Sequence, residues 1–164
     1  MIQRRDVTEP QGLFHPGRAY SYASIAYMLN TIEKTEYLPG WLAGRDLPFA
    51  VTGPQLSQAL IWLALLVLAV FLVGRTVSNR AVQILVAAMI GVLLATVVSQ
   101  VSLSLATLSY MPGTATALVL VLPAALWLYR HMTLVDPARL IGAGAGVLAM
   151  VPLTWAALAL AAQV

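Results

Sequence analysis

The residues of this chain that could do chemistry are few and scattered. Its two histidines are His15 and His131. A bis-histidine haem needs two imidazoles projecting into one bundle. His15 belongs to an N-terminal tail and His131 to the end of an apolar segment, on opposite membrane faces in the topology derived below, so ligation of haem or pigment by histidine is not expected. Among the acids, Glu33 and Glu36 stand three apart around Lys34 and read as one solvated helical face, while Asp136 stands alone before Pro137. No nucleophile sits beside a base, no glycine loop with a phosphate-binding lysine occurs, and no metal-ligand spacing is present. With no cysteine, thiolate sites and disulfides are excluded. The expectation is a protein that is not an enzyme and has no catalytic, cofactor-binding or metal residues. A bound lipid is the one non-protein component it could carry.

What remains are contact surfaces in apolar segments. Thr96, Ser99, Gln100, Ser104 and Thr107 fall on one face of a helix at 100° per residue. A lipid-facing amide is costly, so this face should look into the bundle or at a partner. The spacing gives interhelical hydrogen bonds or, as the sharper alternative, a polar path for a small solute or headgroup. Gly142, Gly144 and Gly146 begin a small-residue run in which Gly142-x-x-x-Gly146 permits close backbone approach. Pro123 and Pro152 lie inside apolar segments and predict kinks.

The elements that must position these residues are set by where charge is missing. The chain has 164 residues, 60% hydrophobic and 9% charged, with a net charge of +3. From Leu47 onward the charged residues are Arg75, Arg80, Arg130, Asp136 and Arg139, leaving 47–74, 81–129 and 140–164 uncharged. A span of the roughly 30 Å hydrocarbon core takes about 20 such residues. The central run is too long for one helix, and Tyr110-Met111-Pro112-Gly113 divides it. The prediction is an all-α polytopic membrane protein with four transmembrane helices, at about 55–74, 81–109, 113–132 and 139–162. At about 1.5 Å per residue the second and third spans differ in length, and a third helix continuing past Arg130 would even them.

Residues 1–54 read as an extramembrane tail with a short amphipathic, interfacial helix at about 18–38, ended by Leu38-Pro39-Gly40, or equally with that helix packed on the spanning bundle. Tyr22, Ile25, Leu29 and Ile32 supply its apolar spacing. Tyr20, Tyr22, Tyr27 and Trp41 suit a headgroup zone. The polar run after Arg4 and Arg5 lacks the apolar core of a signal peptide. Scattered cations with no basic stripe argue against nucleic acid.

Arginines concentrate on the cytoplasmic side of membranes. Loops 75–80 and 130–139 are therefore expected to be cytoplasmic, with both termini outside, in a bacterial or archaeal cytoplasmic membrane. The function expected is that of a non-catalytic integral membrane subunit scaffolding a larger secretion, energy-transducing or transport assembly. Its partners would be the bilayer and other membrane subunits. The alternative is a small homo-oligomeric channel or facilitator built on the polar face around Gln100.

Overall fold

The computed structural model describes residues 16–43, 45 and 51–163. Among them there are only helices: α1 (Pro16–Ala43), α2 (Gly53–Thr76), α3 (Arg80–Ala106), α4 (Thr114–Arg130) and α5 (Asp136–Ala161). Three of these, α2, α3 and α5, are long and apolar enough to cross a membrane, and α4 is a shorter apolar helix. Thr52 caps α2 by accepting from Gln55 N–H, and Asn79 caps α3 by accepting from Val82 N–H at 2.8 Å.

α1 is the main departure from expectation. It does not end at Leu38 but is a 28-residue helix, about 42 Å long, that runs through Pro39. Proline removes the N–H that would bond the carbonyl four residues back. That carbonyl, Thr35 O, is taken instead by Ser57 Oγ of α2 at 3.5 Å. α1 lies antiparallel to α2 along its length, with Tyr20 packed edge-on to Phe71 and Leu38 packed beside Leu60. Residues 16–43 therefore belong to the bundle rather than to a separate tail.

The face that α1 buries joins small and polar residues, Ala19, Ala23, Ala26, Asn30, Thr31 and Lys34, to Tyr27 and Leu38. Its apolar stripe, Tyr22, Ile25, Leu29 and Ile32, points outward. The small residues let α1 approach its neighbours closely. Tyr27, expected at an interface, is buried in the core, Trp41 is half-buried, and Tyr22 is exposed beside Trp127.

Helix ends sort into two faces. Ser21 accepts from Arg75 Nη1 at 3.1 Å, Tyr20 reaches Gln83 at 3.4 Å, and Arg139 Nη1 donates to Tyr129 O at 3.0 Å. The start of α1, with Arg18, thus shares an end of the bundle with loops 75–80 and 130–139. Among the described residues, the chain thus begins at the same end as those loops, not opposite them. The other end gathers the 107–113 turn, the start of α2 and the end of α5, where Gln55 Nε2 donates to Leu158 O.

α4 does not continue past Arg130. His131 N–H bonds back to Trp127 O and Leu128 O, and its exposed ring reaches Trp127 O at 2.9 Å, which ends the helix. Pro123 is accommodated by a π-helical turn over Ala117–Val121, where the wider winding takes up its missing donor. Pro152 lies inside α5.

The tightest packing joins α3 to α5. A Cβ on Gly146 would lie 1.7 Å from Ala88 O, and one on Gly91 would lie 1.9 Å from Ala143 O. Gly142 also faces α3, against Ala87. Gly144 has no neighbour within 4 Å and is not part of the contact. The glycine spacing in α5 thus works within the chain, and the facing Gly91 completes it.

Candidate functional site

α1 presents Asn30, Glu33 and Lys34 at positions i, i+3 and i+4, one face of a helix. All three touch Gly113, the residue before α4. Asn30 Nδ2 donates to Gly113 O at 2.7 Å, Gly113 N–H donates to Glu33 Oε1 at 2.9 Å, and the Lys34 stem lies where a Gly113 Cβ would come within 2.8 Å of its Cγ. Gly113 has φ +93°, the left-handed region that a side chain resists.

The Glu33 carboxylate is fully engaged. Oε1 accepts from Tyr110 Oη at 2.6 Å as well as from Gly113, and Oε2 accepts from Thr116 Oγ1 at 2.7 Å. It lies at the amino end of α4, where the helix dipole favours an anion. The hydrogen bond to Glu33 pushes the Tyr110 hydroxyl up. Lys34 is buried, its ammonium 5.6 Å from the Tyr27 ring centroid. The expected solvated face of Glu33, Lys34 and Glu36 is therefore divided: Glu36 is exposed, and the other two are built into the bundle.

α3 supplies the floor of this cluster. Gln100, 2% exposed, donates from Nε2 to Asn30 Oδ1 at 3.4 Å. Ser104 Oγ accepts from Met111 N–H at 3.0 Å and pairs with Thr114 Oγ1 at 2.9 Å. The rest of the anticipated polar face does not join them. Thr96, Ser99 and Thr107 return their hydroxyls to carbonyls of their own helix, Val92, Thr96 and Leu103. Gln100 and Ser104 stand out in the sequence as polar bundle residues, whereas Asn30, Glu33, Lys34 and Gly113 do not. The signal was there: three polar side chains spaced for one helical face.

Residues 22–128 match a family described as a protein of unknown function with an HXXEE motif. The chain belongs to this HXXEE family. No curated protein and no solved structure matches it. The matched segment contains no histidine, so this HXXEE member does not carry the motif in its literal form. Two registers put a glutamate at the motif's fourth position: Asn30-Thr31-Ile32-Glu33-Lys34 and Glu33-Lys34-Thr35-Glu36-Tyr37. In the second, Glu36 and Tyr37 are exposed; in the first, Asn30, Glu33 and Lys34 all face Gly113.

Elsewhere on this HXXEE chain, His131 is exposed and His15 lies outside the described residues. Among the described residues no three His, Asp or Glu side chains gather. An apolar groove of about 430 Å³ runs between α1 and α4, walled by Tyr22, Leu29 and Trp127 and floored by Ala26 and Pro123.

Proposed function

We propose that this protein is a non-catalytic integral membrane subunit, a scaffold within a larger membrane assembly, in which the Asn30–Glu33–Lys34 face locks α1 to the head of α4. The observation that carries this reading is the state of Glu33. It is the acid of the cluster, and every one of its contacts is an intramolecular donor, so it serves architecture rather than acid–base work. In the Asn30 register, the motif's histidine is an asparagine and its second glutamate a lysine. The groups able to move a proton or hold a metal have been exchanged for groups that pack and hydrogen-bond.

The outer surfaces support a role in assembly. α5 turns Ile141, Leu148, Val151 and Trp155 outward, leaving an apolar face for lipid or a neighbouring subunit. Gln100 is buried inside the chain, its Nε2 turned to Asn30 and its Oε1 without a partner, so a pore between copies lacks this most polar group. That favours the scaffold over a channel.

The arginines support an orientation. Arg18, Arg75, Arg80, Arg130 and Arg139 share one end of the bundle, which the positive-inside bias puts in the cytoplasm. α1 then crosses with its uncharged stretch 19–32 against lipid, the Glu33 cluster lies near the opposite face, and the carboxyl terminus is external. An apolar groove open to the side offers a lipid chain a seat.

Purification of the full chain from its native membrane in mild detergent, followed by native mass spectrometry, tests the reading. A different membrane protein retained at fixed stoichiometry is the expected result; a monomer or a pure homo-oligomer would overturn it.

A further inference from the structure

We infer that the groove between α1 and α4 is a lipid site, in which an acyl chain lies along the groove and the anionic headgroup of a phospholipid rests between Arg18 and Arg130. This deepens the membrane reading above and rests on its orientation, with the arginine end at the cytoplasmic leaflet. The groove follows from side-chain size. Ala26 on α1 and Ala124 on α4 leave little bulk between the two helices, and Leu29 and Val119 wall the space that results, about 430 Å³. The α4 wall is also where the winding widens. Val119 and Leu120 belong to the π-helical turn over Ala117–Val121, and Pro123 lines the groove one turn further on. Single π-turns of this kind recur at functional sites.

The order of chemistry along the groove selects the occupant. α1 and α4 run antiparallel, with Asn30 at the head of α4 and the Tyr22 ring 5.2 Å from the Trp127 ring at its other end. Between these points Leu29 and Ile25 face Val119 and Pro123, about 10 Å of apolar groove. The ring pair follows, and aromatic rings favour the boundary between acyl chain and headgroup. Arg18 stands four residues before Tyr22 and Arg130 three after Trp127, so each lies one turn beyond the rings on the same side of its helix. Arg18 is half-buried and Arg130 exposed. Among the described residues the acid at this end is Asp136, which pairs with Arg139, while Glu33 and Glu36 lie toward the other end of α1. Apolar groove, aromatic boundary and uncompensated cations thus succeed one another as the chain, ester region and phosphate of an anionic lipid do. Basic pockets between membrane helices on the cytoplasmic side bind such headgroups. A second copy of the chain, or a partner helix, would cover the groove but leave both cations without an anion.

The test uses the full chain in detergent, titrated with phosphatidylglycerol or with phosphatidylcholine of the same acyl chains, and reads bound lipid by native mass spectrometry. Wild type is expected to bind a first phosphatidylglycerol more tightly than phosphatidylcholine. Arg18→Gln and Arg130→Gln are each expected to weaken phosphatidylglycerol roughly fivefold and to leave phosphatidylcholine unchanged. Their double variant should no longer distinguish the two lipids; should it not fold, Arg130→Gln alone, at an exposed site, carries the test. Arg80→Gln, at the same end but lining a different pocket with Thr133 and Leu134, is expected to change neither lipid. Val119→Trp, at an exposed position on the groove wall, is expected to weaken both. Four results overturn the inference: equal binding of the two lipids by wild type, an Arg80→Gln loss as large as that of Arg130→Gln, a Val119→Trp protein that binds as wild type does, or a lipid-free dimer whose groove is closed by a second copy. The first three leave the scaffold reading intact, because that reading stands on the partner retained from the native membrane.

Discussion

The backbone N–H of Gly113 donates to Glu33 Oε1 at 2.9 Å, joining the amino end of α4 to α1 across 80 residues of sequence. The carbonyl of the same glycine is held by Asn30. One peptide is thus gripped from both sides by one helical face, and α1, which has no long apolar run of its own, is fixed in the bundle.

Replacing Glu33 with Gln keeps one acceptor oxygen and turns the other into a donor facing Thr116. Loss of a charged acceptor with partners left unpaired costs about 1.5–3 kcal/mol. Thermal unfolding in detergent should show Tm falling by several degrees. Tyr110→Phe, which removes one of the three donors, should lower it less.

Gly113→Ala meets two obstacles: a φ of +93° and a Cβ position 2.8 Å from Lys34 Cγ. A strained non-glycine residue of this kind costs about 1–3 kcal/mol. Lys34→Ala removes the steric part only, so the double variant should recover part of the lost Tm. Full recovery would show that backbone strain contributes nothing.

The two glycine positions of α5 should behave oppositely. Gly146→Ala forces a Cβ into Ala88 O and should cost about 2–3 kcal/mol as α3 and α5 separate. Gly144→Ala enters open space and should stay within about 0.5 kcal/mol of wild type. Thermal unfolding of the pair separates intrachain packing from a contact with another subunit, in which Gly144 would be the sensitive one.

The helical class, α2, α3 and α5, the division at 110–113 and the contact at Gly142 and Gly146 are all legible in the sequence. They depend on local composition and on spacings within one segment. The apolar stripe of α1 is legible, but its outward placement is not, because the burial of Asn30, Thr31 and Lys34 depends on partners from other helices. Pro39 signals a stop that Ser57, from another helix, cancels. The clamp is illegible for the same reason: Asn30 and Glu33 acquire their role from Gly113, 83 and 80 positions away, and no local pattern encodes that meeting. Gln100 stands out by polarity alone, but its partner Asn30 does not.

The central claim, that the Asn30–Glu33 face holds α1 to α4, is tested most directly by spin-label distance measurement in lipid nanodiscs. Labels at Ile25 and Val119, both exposed beside the α1–α4 groove, report the separation of the two helices. Wild type should give a single narrow distance distribution. Asn30→Ala/Glu33→Ala should give a broad one displaced to longer distances. An unchanged narrow distribution in the variant would contradict the account.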